Sequence, residues 1–486
     1  MENKIEHLEP GLVWKHFAAL TQIPRPSKKE RKAVDYVAGV GRELGLETLV
    51  DGVGNVIIRK PATAGMEQHK GVVLQAHVDM VPQKNSDKQH NFETDPIETY
   101  IEDGWVKAKG TTLGADNGIG VAAALAVLED KTLEHGPIEA LFTVDEETGM
   151  TGANNLKSGV LQGQILINMD SEDEGELYVG CAGGSNANMV FSFREDKVGA
   201  AVQAYRVALT GLKGGHSGMD INLGRANANK LLFRLLKEAV SLTGARLATV
   251  DGGSLRNAIP REAFAVLTVP KEQENDFQNL VKAFSEVFRA EFAGTEPDLK
   301  LEAQACALPD FVMEELVQDD LINAIQACPN GVVRMSADME GLVETSLNLA
   351  VVKTEGHEVK ALALLRSSVD TAKQDLESTL ESLFLLAGAE VWFDGAYPGW
   401  KPNMQSEILK TMQEVYRKDF GRVPQVKAIH AGLECGILGS AYPQWDMISF
   451  GPTIRYPHSP DEKVDIASVE RFWRFLIATL KNVPRN

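Results

Sequence analysis

Two hydrophobic periodicities alternate along the first third of the chain. Over 10–20 and 28–44 apolar residues recur at helical spacing, which predicts two helices separated by Pro24-Arg25-Pro26. The segment 49–59, enclosing Asp51-Gly52-Val53-Gly54-Asn55, predicts a hairpin, and 71–80 is apolar enough for a strand buried on both faces. After the glycine-rich stretch from Gly110 to Gly120, the pattern predicts a helix to about Asp130 and a strand over 138–144 ending in Asp145-Glu146-Glu147. A helix follows, and then a strand over 165–169 that ends at Asp170. Strands alternating with helices predict an α/β sheet with helices on both faces, and the polar residues gather at the carboxyl ends of its strands, where such sheets place their sites.

The pattern changes around Cys181-Ala182-Gly183-Gly184. From there strands such as 204–209 and 263–269 are interleaved with amphipathic helices at 225–239, 276–290, 316–327 and 371–387, which predicts a separate α+β domain. Beyond Gly395-Ala396-Tyr397-Pro398-Gly399-Trp400 the α/β character returns. A helix is expected at 406–420, a short strand at 446–450, a loop from Gly451 to Glu462, and a last helix from about Ile466. One domain, 1–184 and 398–486, is therefore expected to be interrupted by another, 185–397.

Length supports this division, since 486 residues exceed what one hydrophobic core usually serves. No apolar run reaches membrane-spanning length, and the start of the chain lacks the basic and apolar regions of a signal peptide, so a cytoplasmic protein is expected. Cys181, Cys306, Cys328 and Cys435 are far apart, which argues against a disulfide framework and a thiolate metal site. The net charge of -19 disfavours nucleic acid and anionic membranes as partners and identifies no substrate.

Several polar residues at strand ends carry candidate chemistry. In His77-Val78-Asp79, residues two apart on a strand face the same way, so the carboxylate can orient the imidazole as it would a metal ligand; a buried histidine satisfied by its neighbour reads equally well. Glu146 and Glu147, adjacent at a strand end, are expected to point apart, one toward a metal and the other toward substrate as a general base; a solvated acidic turn is the plainer alternative. Asp116 in its glycine loop, Asp170 ahead of an acidic run, and His458 between two prolines could each be ordinary loop residues. Together, however, His77, Asp116, Glu147, Asp170 and His458 all sit at carboxyl ends of strands or in the loops that follow. Two imidazoles and three carboxylates suit a pair of divalent ions, zinc first, with cobalt or manganese as substitutes. Two Zn²⁺ (+4), three carboxylates (-3) and one hydroxide (-1) sum to neutrality. A carboxylate bridging ions about 3.5–4 Å apart needs a rigid backbone, which favours Asp116.

These motifs, Gln75-Ala76-His77-Val78-Asp79-Met80, Gly114-Ala115-Asp116-Asn117-Gly118, Asp145-Glu146-Glu147-Thr148-Gly149, Asn168-Met169-Asp170-Ser171 and Pro457-His458-Ser459-Pro460, together resemble the M20 metallopeptidases. The resemblance spans nearly the whole chain. It implies a zinc-peptidase-like mixed sheet interrupted by an α+β lid domain of two lobes, with His77 and Asp170 on one zinc, Glu147 and His458 on the other, and Asp116 bridging. Asp79 would be the orienting residue, Glu146 the general base and Asp116-Asn117 a cis peptide.

In the inserted domain, Gly214-Gly215-His216-Ser217-Gly218 resembles a motif whose histidine stabilises the oxyanion. Asn257 and Arg366 are implied as substrate clamps, the guanidinium fork matching a free C-terminal carboxylate. Gly432 would approach substrate through its backbone, with His430 beside it structural. A histidine in a flexible glycine turn and a structural ion-pair arginine remain the alternatives for His216 and Arg366. The activity implied is hydrolysis of dipeptides with a free N-terminus, preferentially Xaa-His including β-alanyl-histidine, by a zinc-activated water and a Glu base. A tripeptidase or N-acyl-amino-acid deacylase of the same fold is the nearest rival, and a non-catalytic metal-binding protein the more distant one. The native metal, the preferred N-terminal residue, the formation of a homodimer, and whether His216 acts within its own chain are left open.

Overall fold

The computed structural model describes residues 4–486. By its internal contacts the chain divides into two compact units. The first comprises the chain up to Cys181 together with Pro402–Ala428 and Leu433–Asn486. It is built on an eight-stranded mixed sheet. Four neighbouring strands at its centre, Ile138–Thr143, Val72–His77, Ile165–Asn168 and Asp446–Ser449, run parallel. Every residue of the first three is buried, which explains their continuous apolar runs. The expected hairpin, Glu47–Val50 with Val56–Lys60, joins antiparallel at one edge and sets Val50 opposite Val56.

The helix Ala115–Glu129 packs against Val72–His77 and against the N-terminal helix Gly11–Thr21. Residues 117–128 of that helix are all buried, because its sequence is apolar around the full circumference. A four-stranded sheet made of Thr99–Glu102, Trp105–Ala108, Ile454–Arg455 and Lys463–Asp465 has no counterpart in the sequence reading.

The second unit comprises Ala182–Lys401 and Ile429–Gly432. Its nine-stranded antiparallel sheet has two helix-backed halves. In one half, Ala228–Thr243 and Glu274–Glu291 back the strands Lys300–Cys306, Val202–Thr210 and Ala263–Pro270. In the other, Asp370–Leu386 backs Glu358–Ser367, Gly183–Ser192 and Glu390–Tyr397. The halves meet where Asp251 and Gly252 pair with Lys353 and Val352, and one hydrophobic core runs through both. The two lobes thus share a sheet. The helix expected at 225–239 runs instead from Ala228 to Thr243, because the Asn227 side chain accepts from the Lys230 N–H at its start and Gly244 ends it at φ 63°. Among the described residues no helix is long and apolar enough to cross a membrane, and no disulfide links the cysteines.

Candidate metal centre and substrate-binding groups

The parallel strands of the first unit bring their carboxyl ends to one edge, and the predicted ligands gather there. His77 closes its strand at 1% exposure, with Nε2 3.1 Å from Oδ1 of Asp116 and 3.3 Å from Oδ1 of Asp170. His458, half-exposed and at φ 60°, brings its Nε2 to 3.1 Å from Oδ2 of Asp116 and 3.0 Å from Oε2 of Glu147. The two oxygens of Asp116 therefore face different partners. The donor atoms of His77, Asp116 and Asp170 lie within 4.8 Å of one another, as do those of Asp116, Glu147 and His458. The other oxygen of Glu147 is buried and meets no donor among the described residues. Oxygen and imidazole donors without a thiolate, in two triads that share one carboxylate, fit a pair of divalent ions.

Electrostatics supports that fit. Burial opposes charge on His77, but the charge of Asp170 and hydrogen bonds that the ring donates to Asp116, Asp170 and Asp79 hold its pKa well above the ordinary value. Hydrogen bonds to Asp116 and Glu147 outweigh burial and raise His458 to about 11. Burial pushes Asp116 up, yet its contacts with His458 and His77 bring it below the usual carboxylate range. Each protonated imidazole here supplies positive charge that a divalent ion would otherwise bring.

Asp79 is fully buried, and its Oδ1 lies 3.3 Å from Nδ1 of His77. The same carboxylate accepts the backbone N–H of Glu146 (3.0 Å), the N–H of Glu147 (3.3 Å) and the Ser27 hydroxyl (2.8 Å). Burial raises its pKa, but His77 and these donors bring it down to about 2. Asp79 thus ties His77 to the turn that carries Glu146 and Glu147.

That turn differs from the expectation of a strand end. Asp145 adopts φ 51° and Glu146–Gly149 forms a helical turn, so strand alternation does not separate the two glutamates. Instead a carboxylate oxygen from each lies within 4.8 Å of the other and of a His77 nitrogen. Glu146 differs from Glu147 in its environment: burial pushes its pKa well up, with Asp170, Glu434 and Glu147 adding to the rise against the pull of His77. A carboxylate tuned upward suits a general base.

Four supporting residues escape the sequence reading. The Asn117 side chain donates to the Met169 carbonyl (2.8 Å) and to Oδ1 of Asp170 (2.5 Å). Glu462 accepts four consecutive backbone N–H groups, from Leu113, Gly114, Ala115 and Asp116, at 2.7–3.2 Å. Arg25, 1% exposed, donates to the carbonyls of Val78, Asp79 and Gly114. Glu434, also fully buried, accepts from Gln75 (2.6 Å) and Thr143 (2.8 Å), and burial drives its pKa up to about 7. The Asp116 segment is thereby pinned through its backbone. Gly114 must be glycine, since at φ 71° an added Cβ would lie 2.5 Å from the Arg25 guanidinium. The peptide Asp116-Asn117 is cis.

The second unit holds the remaining predicted residues. Nδ1 of His216 accepts the N–H groups of Gly218 (3.1 Å) and Met219 (3.0 Å). A nitrogen that accepts two amides carries no proton, so the neutral ring bears its proton on Nε2. Burial lowers the His216 pKa and Arg366 lowers it further, favouring this neutral donor form, while Asp220 opposes them. Arg366 is 5% exposed, its fork held by Ser217 (3.3 Å) and the Tyr397 hydroxyl (3.2 Å). The partners described for its fork are hydroxyls. His430 bonds Ser346 (2.7 Å), and burial, with Arg366 and His216, lowers its pKa to about 3, which fits a neutral structural histidine. A Cβ on Gly218 would come within 2.1 Å of the His430 carbonyl, so only glycine fits this turn. The Asn257 carbonyl accepts the Ser217 N–H (2.8 Å), while its side chain is exposed. Gly432 is half-buried beside Ala431, whose carbonyl accepts the Ala182 N–H.

Comparison with known proteins gives a consistent result. A model of the peptidase family M20/M25/M40 matches residues 73–482. The chain is 47% identical over 482 residues to a cytosol non-specific dipeptidase of Escherichia coli strain K12, covering 99% of each. It resembles the crystal structure of an aminoacylhistidine dipeptidase from Vibrio alginolyticus with a TM-score of 0.96 at 49% identity, over 100% of this chain and 99% of that one. A tripeptidase from Staphylococcus aureus superposes with a TM-score of 0.56 at 16% identity, over 98% of this chain and 99% of that one, a likeness of fold alone.

Proposed function

Because the chain belongs to peptidase family M20/M25/M40, we propose that it is a dinuclear metallopeptidase of the cytosol. Its substrates are dipeptides with a free N-terminus, preferentially Xaa-His including β-alanyl-histidine. The names of two similar proteins, a non-specific dipeptidase and an aminoacylhistidine dipeptidase, support the substrate class. The metal-dependent half rests on one observation: Oδ1 of Asp116 faces His77 and its Oδ2 faces His458.

His77, Asp116 and Asp170 would hold one divalent ion and Asp116, Glu147 and His458 the other, with zinc preferred and cobalt or manganese as substitutes. Such a pair, when bound, supplies Lewis acidity and lowers the pKa of water toward about 7. Glu146 takes the proton of the attacking water and returns it to the leaving amine. Asp79 keeps His77 and the Glu146 turn in register. His216, with its proton on Nε2, donates to the developing oxyanion, and Arg366 forks the substrate carboxylate, with Asn257 and Gly432 completing the substrate contacts.

Metal-depleted protein assayed with Xaa-His dipeptides, tripeptides and N-acetyl amino acids, with and without restored zinc, tests this reading. Metal-dependent cleavage of the dipeptides is expected. Cleavage confined to tripeptides or to N-acetyl amino acids would replace the reading, and no cleavage with both ions bound would leave a metal-binding protein.

Two variants probe the second unit. His216→Ala is expected to lower kcat by about 10²–10³ with metal content unchanged, the scale seen when one oxyanion donor is removed; wild-type kinetics would remove His216 from the reaction. Arg366→Met is expected to raise KM for dipeptides and to abolish the preference for a free C-terminal carboxylate over its amide. An unaltered acid-to-amide ratio would show that Arg366 does not read that group.

A further inference from the structure

A ladder of buried polar side chains crosses the four parallel strands just below the predicted ligands. The Gln75 carboxamide donates to Oε2 of Glu434 (2.6 Å), which also accepts the Thr143 hydroxyl (2.8 Å). The carbonyl oxygen of that carboxamide accepts from Asn168 (2.5 Å), whose own oxygen accepts the Ser449 hydroxyl (2.5 Å). Gln75, Thr143, Asn168, Ser449 and Glu434 are all 0% exposed. Each of the four parallel strands contributes one rung.

Glu434 stands at the end of this ladder, its Oε2 the acceptor that Gln75 and Thr143 share. Its Oε1 is buried without a donor among the described residues, so the group carries a desolvation cost that an apolar side chain of similar shape would avoid. What it gives in return is directional. Gln75 lies two residues before His77 on the same face of its strand, and Asn168 lies two residues before Asp170. The Gln75 carbonyl also accepts the Met169 N–H (2.9 Å), tying the two strand ends together.

We propose that Glu434 is a positioning residue for the metal centre: by fixing Gln75 and Thr143 it sets the ladder on which His77 and Asp170 are carried. The proposal rests on the dinuclear reading above and goes beyond it, since Glu434 touches neither ligand.

Cobalt(II)-loaded protein provides the test, read by visible absorption, by retention of cobalt on dialysis against a chelator, and by kcat and KM. Glu434→Leu keeps the shape and removes the acceptor. It is expected to shift the cobalt bands, to weaken retention of one ion by about tenfold, the lower end for partners beyond the ligands, and to lower kcat with KM unchanged. Glu434→Gln keeps an acceptor and is expected to restore the wild-type spectrum. A folded Glu434→Leu protein with wild-type bands and cobalt retention overturns the proposal, even if its melting temperature falls. Should that variant not fold, Thr143→Val, nearly isosteric, must move the same bands to a smaller extent; an unchanged spectrum there overturns the proposal as well. Wild-type protein that binds fewer than two cobalt ions overturns the dinuclear reading, and this proposal with it.

Discussion

Glu146→Gln is expected to bind two divalent ions per chain and to lose about 10²–10⁴ in kcat, the contribution of a positioned general base. The structural grounds are that Glu146 belongs to neither Asp116-centred triad and that its carboxyl is tuned upward by burial and by Asp170, Glu434 and Glu147, against His77. Glutamine keeps the shape and cannot accept the proton, so metal content and turnover should part company. Metal analysis beside steady-state kinetics decides the matter. If kcat stays within a factor of two of wild type, another group is the base.

Asp116→Asn should be more damaging still. The two oxygens of Asp116 serve two triads, and an amide offers neither the second anionic oxygen nor the charge that two cations require. Fewer than two ions per chain are expected after dialysis, with hydrolysis reduced at least as far as in Glu146→Gln, because the base acts only on an assembled centre. The double variant should then be no slower than Asp116→Asn alone, as for residues that work as one unit. Additive losses would mean that the base operates independently of the bridge. Two ions retained by Asp116→Asn would dismiss the bridging role.

The parts legible in the sequence are those whose signal is local. Val72–His77, Ile138–Thr143 and Ile165–Asn168 are short apolar runs because both their faces are covered, and each stops where a polar residue begins the site. Two of the predicted ligands, His77 and Asp170, stand at or just past such stops.

What sequence reading missed is nonlocal or locally irregular. Glu462 reaches the Asp116 backbone N–H across 346 residues, and Glu434 reaches Gln75 across 359. No spacing along the chain records either contact. Arg25 lies in a conspicuous Pro24-Arg25-Pro26 yet points inward to carbonyls of two other segments, which composition alone would not suggest for an arginine. The turn at Glu146 departs from strand geometry because one backbone angle, at Asp145, is left-handed. The four-stranded sheet escaped because its strands are two to four residues long and mostly half-exposed.

Asp79 receives the backbone amides of the turn that carries Glu146 and stands beside the ring of His77. The proposed base and the predicted ligand are therefore referenced to one carboxylate. A displacement of that carboxylate is passed to both of them at once. The same tether makes Asp79 a poor place to dissect the proposed reaction, since a replacement there is expected to disturb metal affinity and turnover together.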